Sequence, residues 1–290
     1  MWPKQRGRTK KRIDTTLVKR FIERELLPLR VTKSARSKTP REKQYALTQS
    51  LNWWVTEGPW PPIPNGPLIA VADAVVKYLG TQWQSWYFIV VRSVHSDEAV
   101  MLPPYHQQGT EVTSGWLHAF ARVDAQVHER IVALVSDGHR GLRKVAHDAG
   151  WLQQRCHFHL LKRLQAQRSR WPTGRHREEA ERIYRHTKAV LTTTRPITHD
   201  LAVLRELAET STSREVRVVI RGFLSNYEDF RTYLRHPELH LPTTSNTAES
   251  LVGMVESMAT RSRGFKGPVA FHKWIIALIK VKKKIKCRPG

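Results

Sequence analysis

The sequence contains few cysteines and few acidic residues for its length. Only Cys156 and Cys287 occur among 290 residues, and Cys287 lies in a basic C-terminal segment. Two thiols so placed do not make a disulfide framework, so we expect a reducing compartment. Asp and Glu number 25 against 49 Lys and Arg, which gives a formal charge of +24. This imbalance indicates a polyanionic partner. Nucleic acid is the first candidate, because neutralising phosphates releases condensed counterions.

Long apolar runs are also missing. No stretch reaches the ~18 uninterrupted apolar residues of a spanning helix, and no apolar signal core follows the charged residues 1–12. We therefore expect no membrane partner and a cytoplasmic location. Apolar residues still make up 40% of the chain and include ten tryptophans. That content is sufficient for a packed core in one large or two modest domains.

The N-terminal part is basic and the part that follows it is β-rich. Residues 1–66 hold 15 Lys plus Arg and five Asp plus Glu, with a helix-like run over 15–29 and a Pro-rich end. This pattern predicts a basic arm and linker, either solvated or ordered on DNA. Apolar β-branched runs then predict adjacent strands over 68–80 and 85–94, and a weaker strand over 99–102.

After residue 102, predicted helices and strands alternate up to residue 156, and the remainder of the chain is predicted to be helical. The predicted elements are a helix over 112–129, a strand over 131–138, a helix over 139–149, a strand over 152–156, amphipathic helices from 160 to 234, and two last helices over 247–262 and 271–286. No internal repeat is evident. The order predicts an α/β fold in which a mixed sheet is flanked by helices and carries an all-helical insertion.

Three acidic residues stand at positions that invite a chemical role. Asp73 interrupts an apolar strand, so either a positive group faces it or strand alternation turns it to solvent. Asp137 ends a strand, where α/β sheets expose functional groups, although it could also cap the next helix. Glu249 has capping-box spacing from Asn246. Glu256, seven residues later on the same helical face, is its rival for a catalytic role.

Carboxylates of this kind suit divalent cations. Mg²⁺ and Mn²⁺ prefer hard oxygen ligands. Two such ions about 4 Å apart can activate a water or a 3′-hydroxyl and stabilise the leaving oxygen of a phosphodiester. A basic chain with three such acids therefore favours phosphoryl transfer on nucleic acid.

A cysteine and a histidine lie at C-x-x-H spacing directly after the last predicted strand. Cys156 and His159 invite a zinc hypothesis. A structural zinc needs four ligands, however, and the one other cysteine is distant in sequence. We expect a packing and hydrogen-bonding role at this strand-to-helix junction and no zinc.

Four segments together carry a resemblance. They are VADAVV around Asp73, SDGHRGL at 136–142, RCHFHLLKRL at 155–164 and TTSNTAES at 243–250. They resemble the transposases of Mutator-like bacterial insertion sequences over roughly 68–271. The resemblance implies an RNase H-like core, a DDE triad of Asp73, Asp137 and Glu249 that binds the metal ions, and a C-x-x-H signature of Cys156 and His159. It implies that water attacks at the element ends and that the freed 3′-hydroxyl attacks target DNA.

The domain and partner expectations follow from this reading. We expect a catalytic core over 67–160 and 241–278, a helical insertion over 161–240, the arm over 1–66 and a basic tail over 279–290. DNA is the expected partner, as element ends and as target, with a homo-oligomer on that DNA in the nucleoid. Two alternatives stay open. Family members usually carry a longer N-terminal region, so a truncated or decayed product could bind DNA without catalysis, and a general RNase H-like nuclease would use the same residues.

Overall fold

A computed structural model describes residues 13–23, 39–170, 175–262, 265 and 267–287. Within these ranges the fold is mixed α/β, as predicted. The strands are β1 (Leu68–Leu79), β2 (Gln82–Ser93), β3 (Glu98–Met101), β4 (Tyr105–Gln108), β5 (Ile131–Ser136), β6 (Leu152–Arg155) and β7 (Lys284–Lys286). The helices before β6 are α1 (Thr16–Ile22), α2 (Pro40–Thr56), α3 (Thr113–Ala121), α4 (Ala125–His128) and α5 (Arg140–Asp148).

Helices dominate the chain after β6. They are α6 (His157–Arg170), α7 (Arg175–Thr192), α8 (Thr198–Thr210), α9 (Arg214–Leu224), α10 (Tyr227–Phe230), α11 (Thr232–Arg235), a short 3₁₀ helix (Pro237–Leu239), α12 (Asn246–Arg261) and α13 (Pro268–Lys282). We call residues 157–239 the helical block. None of the helices in the described ranges combines the length and apolarity needed to cross a membrane.

The chain divides into two compact units. One comprises Met1–Pro61, Leu79–Thr81 and Met254–Lys283, and the other Pro62–Tyr78, Gln82–Gly253 and Lys284–Gly290. In the first unit, Phe21 and Trp274 pack with ring centroids 4.7 Å apart. The Lys280 ammonium is buried there and donates to the Val55 carbonyl at 2.9 Å. The part of the expected arm that is described therefore contains packed helices, while residues 24–29 of its predicted helix lie outside the described ranges.

The second unit is built on the sheet. In the described part of the chain the strand order is β6-β5-β1-β2-β3-β7, with β4 paired to β2. Strands β1, β5 and β6 are parallel, whereas β2 pairs antiparallel with β3 and β4. The first five residues of β1 and residues 84–92 of β2 are buried, as expected of apolar runs covered on both faces. This arrangement fits an RNase H-like core.

Two packed cores lie within this unit. One face of the sheet is covered by α3 and α5, and Trp116 of α3 meets Tyr87 of β2 edge to face at 4.9 Å. The helical block has its own apolar core, to which α6, α7, α8, α9 and α10 contribute. No strand interrupts the described part of that block, as the sequence pattern predicted.

Three local predictions differ from the structure. The helix expected over 112–129 is broken into α3 and α4, because the Asp124 carboxylate accepts the N–H groups of Gln126 and Val127 and starts a new helix. Strands β4 and β7 were not predicted. The last helix ends at Lys282 because Lys283 adopts φ +62°, and β7 then pairs with β3, so the start of the expected tail is ordered.

Candidate active site

Parallel pairing brings the segments of Asp73 and Asp137 together. Val71 of β1 is paired with Val135 of β5. Asp73 follows Val71 within β1, and Asp137 lies in the turn directly after β5, close enough for its charge to act on Asp73.

The Asp73 carboxyl lies in a crowded acidic environment. Its Oδ1 accepts the N–H of Ala74 at 2.8 Å. The pKa of Asp73 is raised to about 7, chiefly by burial and additionally by the negative charges of Asp137 and Glu249, while the Ala74 N–H and the cation of His159 act in the opposite direction. These four ionisable side chains therefore share one electrostatic environment. We call Asp73, Asp137 and Glu249 the acidic site.

Asp137 belongs to a tight turn between β5 and α5. Its Oδ1 accepts the N–H of His139 at 2.8 Å, and His139 itself caps α5 by accepting the N–H of Gly141 at 3.1 Å. The alternative that Asp137 is the helix cap is therefore wrong. Gly138 has φ +90°, and a Cβ there would lie 2.3 Å from Nε of Arg155. This turn needs a glycine for both reasons.

Glu249 is presented by the first turn of α12. The Ser245 hydroxyl donates to its Oε1 at 2.8 Å, and the same oxygen lies 3.6 Å from Nδ1 of His159. In a capping box, Asn246 would precede the helix and the Glu249 carboxylate would accept its backbone N–H. Because α12 already begins at Asn246, Glu249 lies one position too far along the helix for that role, and its carboxylate accepts the Ser245 hydroxyl instead. Glu256 falls in the other compact unit.

Cys156 and His159 form a polar pair beside Glu249. The Cys156 thiol is buried, and its Sγ accepts the N–H of Ser245 at 3.2 Å. Burial raises the pKa of this thiol, but hydrogen bonds from His159 and Ser245 outweigh burial and lower it overall. The hydrogen bond to Cys156 in turn raises the pKa of His159 to about 9 against the effect of burial, with Glu249 and Asp137 adding to the rise. The Cys156 thiol thus accepts a hydrogen bond at the junction of β6 and α6, and the role of the pair stays a prediction.

These side chains offer two kinds of metal ligand. Among the described residues, Cys156 Sγ, a ring nitrogen of His159 and a carboxylate oxygen of Glu249 lie within 4.8 Å of one another, a set that could hold a softer ion. Asp73 and Asp137 do not belong to that group, but their carboxylates are hard oxygen donors of the kind that Mg²⁺ or Mn²⁺ prefers. The mutual repulsion felt by Asp73 indicates that a cation at the acidic site would be stabilising.

The match to known families covers most of the sheet and the helical block. The family model described as the Mutator family of transposases matches residues 82–284, well over half of the chain. The chain belongs to the Mutator family of transposases. The match includes Asp137, Glu249 and the C-x-x-H pair, whereas Asp73 precedes it. No curated protein matches this chain.

A cleft opens beside Asp137 in this transposase. It has a volume of about 290 Å³ and takes in Cys156 and His159. Its other lining residues are Arg143, Arg155, Leu160, Arg163, Val218, Val219, Gly222, Phe223, Asn226 and Phe230. Sequence reasoning did not single out the three arginines, because they come from different elements and one strongly basic chain offers many similar candidates.

Hydrogen bonds tie the helical block to the sheet edge near this cleft. His157 Nε2 lies 2.7 Å from the Phe230 carbonyl, Gln154 Oε1 accepts the N–H of Tyr233 at 2.9 Å, and the Thr232 hydroxyl donates to the Gln153 carbonyl at 2.5 Å. The short helices α10 and α11 are thus fixed against β6, which gives the cleft a defined wall.

Proposed function

We propose that this transposase cuts and rejoins DNA with divalent metal ions held by Asp73, Asp137 and Glu249. The observation that carries the proposal is the crowding of the acidic site: both other acids raise the pKa of the Asp73 carboxyl, which burial alone already raises. Carboxylates held together against their repulsion are typical of a cation site, because the bound ion supplies the missing positive charge.

The chain orients each acid through a separate hydrogen bond. The Ala74 N–H holds Asp73, the His139 N–H holds Asp137, and the Ser245 hydroxyl holds Glu249. Such second contacts orient ligating carboxylates. When bound, Mg²⁺ or Mn²⁺ supplies activation of a water or a 3′-hydroxyl and stabilisation of the leaving oxygen. We propose two such ions and no zinc in the reaction.

DNA is the proposed partner, as the ends of an insertion element and as the target. The charge of +24 supports polyanion binding. Each acid comes from a different segment of the chain, and the family match contains two of the three. We further propose that the protein acts as a homo-oligomer on that DNA, in the nucleoid.

The test is a cleavage and strand-transfer assay on the element's own ends with Mg²⁺. We expect Asp137→Asn to lose about 10³-fold in rate, because an oxygen ligand of the ions is lost. Asp148→Asn is the matched control. That aspartate lies on the surface of α5, paired with Lys144 at 2.8 Å, and its removal should leave the rate unchanged.

Three other results of this assay would lead to different conclusions. Unchanged Mg²⁺-dependent activity of Asp137→Asn would overturn the assignment. A wild-type protein that binds DNA tightly and salt-sensitively but nicks it with neither Mg²⁺ nor Mn²⁺ would be a transposase-derived DNA-binding protein. Degradation of RNA in hybrids without joining would indicate a general nuclease of the RNase H-like class.

A further inference from the structure

Three arginines from three elements converge on the cleft beside Asp137. Arg143 comes from α5, Arg155 from the end of β6, and Arg163 from α6. We call this cleft the arginine cleft. Arg143 and Arg163 are exposed, while Arg155 is partly buried. The cleft therefore has one inner guanidinium, that of Arg155, and two outer ones, those of Arg143 and Arg163.

The inner guanidinium is held in place by its neighbours. Arg155 Nη2 donates to the Asp137 carbonyl at 3.3 Å, and its Cζ lies 4.6 Å from the centroid of the Phe230 ring. A planar guanidinium fixed between a carbonyl and an aromatic face is preorganised for anion recognition. Its contact with the Asp137 backbone also places this positive charge directly next to the acidic site.

The charges of the cleft are only partly balanced by protein carboxylates: Asp229 and Asp137 attract Arg155, whereas Arg143 and Arg163 repel it. By contrast, Arg168 and Arg170 of α6 lie 2.8 Å from the carboxylates of Glu181 and Glu215. In the described part of the chain, Arg143 and Arg163 make no ion pair of this kind. An external anion would relieve the repulsion.

Apolar groups line the cleft together with the arginines. They come from α9 and the Phe230 ring, and Val218 of α9 is 58% exposed. A cleft that offers both guanidinium groups and apolar or aromatic groups is suited to nucleic acid, because the former bind phosphates and the latter contact bases. A free inorganic anion would not need the apolar groups.

We propose that the arginine cleft binds the phosphodiester backbone of the DNA strand that enters the acidic site. This inference rests on the proposed function and names the surface that places the strand. Phosphates bound by Arg143 and Arg163 would lead the strand past Arg155 to Asp137. The assigned role is strand positioning, distinct from the metal-binding role of the acids.

The experiment measures DNA binding without cleavage. A fluorescein-labelled duplex of arbitrary sequence is titrated with full-length protein in Ca²⁺ at several salt concentrations, and the dependence of log Kd on log salt is compared. Each lost phosphate contact lowers the slope by about 1. We expect the double variant Arg143→Ala/Arg163→Ala to lower it by about 2, and Arg143→Lys/Arg163→Lys to retain it, because charge is preserved.

The matched control removes two other exposed arginines of the helical block. Arg182 and Arg205 lie on α7 and α8 and do not line the cleft. Arg182→Ala/Arg205→Ala has the same change in net charge and should leave the slope unchanged. An unchanged slope in the cleft variant, or an equal fall in the control, overturns the proposal.

A second measurement uses wild-type protein alone, so its result does not depend on whether the variants fold. Phenylglyoxal modification of wild-type protein, mapped by mass spectrometry with and without the duplex, should show protection at Arg143 and Arg163 but not at Arg182. Equal modification with and without DNA at the cleft arginines also overturns the inference. If Asp137→Asn abolishes cleavage while the cleft variant binds normally, only the inference fails. If Asp137→Asn cleaves normally, the proposed function fails.

Discussion

Charged side chains are arranged in opposite ways at the acidic site and in the helical block. In the helical block, cations and carboxylates lie close to one another, as in Arg168 with Glu181 and Arg221 with Glu209 at 2.8 and 2.9 Å. At the acidic site, Asp73 is repelled by two other carboxylates. Paired surface charges contribute little to function or stability, whereas uncompensated ones need an external partner.

The carboxylates of the two regions also differ in solvent exposure and in the hydrogen bonds that hold them. The carboxylates of Glu209 and Glu215 in the helical block are exposed, so solvent screens them. Asp73, Asp137 and Glu249 are instead held by hydrogen bonds at strand, turn and helix start. The fold keeps like charges together at a cost in stability, which is typical of functional sites. Removing a charge should therefore have opposite effects in the two regions.

The largest difference should separate the two glutamates of α12. Glu249→Gln removes a carboxylate from the acidic site and should lower the rate of element-end cleavage by about 10³-fold. Glu256→Gln is the control on the same helix and should stay within a few-fold of wild type. The measurement is single-turnover cleavage with Mg²⁺. A larger loss in Glu256→Gln than in Glu249→Gln would exchange their roles and break the comparison.

The second prediction concerns the stability of the metal-free protein. The folded state holds a proton on Asp73 up to about pH 7, whereas the unfolded chain releases it near 3.8. The folded state binds more protons in this window, so stability falls as the pH rises through it. Asp73→Asn should therefore raise the free energy of unfolding at pH 8 by about 4 kcal/mol.

Urea denaturation in EDTA at several pH values measures this effect. The gain from Asp73→Asn should shrink as the pH falls and vanish below about pH 3, where both states are protonated. Asp148→Asn, on the exposed surface of α5, should show no such gain. A variant less stable than wild type at pH 8 would show that the acidic site is not crowded in the folded protein.

The third prediction uses the metal directly. Mg²⁺ that binds only the folded state stabilises it by about 2.7 kcal/mol at a concentration 100 times its dissociation constant. Wild-type protein should therefore melt at a higher temperature with Mg²⁺ or Mn²⁺, and Asp137→Asn should lose this shift. Thermal unfolding followed by circular dichroism measures it. An equal shift in Asp137→Asn would place the ion elsewhere.

Elements that a local run or spacing of residue types marks could be predicted from the sequence. The apolar β-branched runs of β1 and β5 indicated buried strands, and the position of Asp137 before Gly138 indicated a functional turn at a strand end. Strand β7 gave no such signal. Two of its three residues are exposed lysines, and it is held by backbone pairing with β3, which propensity does not report.

The parts of the site that depend on distant contacts could not be predicted. The Ser245 hydroxyl can hold Glu249 because α12 starts at Asn246, one residue earlier than capping-box spacing suggested. The arginine cleft forms because α5, β6 and α6 converge on one side of Asp137. Sequence spacing gives the residue types of such a site, while its partners are set by topology.

The smallest predicted effect lies in the helical block. The carboxylate of Glu181 is 46% exposed and lies 2.8 Å from Arg168 and 3.7 Å from Arg177. Because solvent screens an exposed pair, Glu181→Gln should lower the free energy of unfolding by less than about 1 kcal/mol. The loss should shrink further at high salt. Urea denaturation at low and high salt measures it, and element-end cleavage should be unchanged.

Asp73→Asn is expected to stabilise the protein and Glu181→Gln to destabilise it. The opposite signs of these two changes in the free energy of unfolding therefore test the comparison better than their sizes do. A stabilising Glu181→Gln would show that this region also holds uncompensated negative charge.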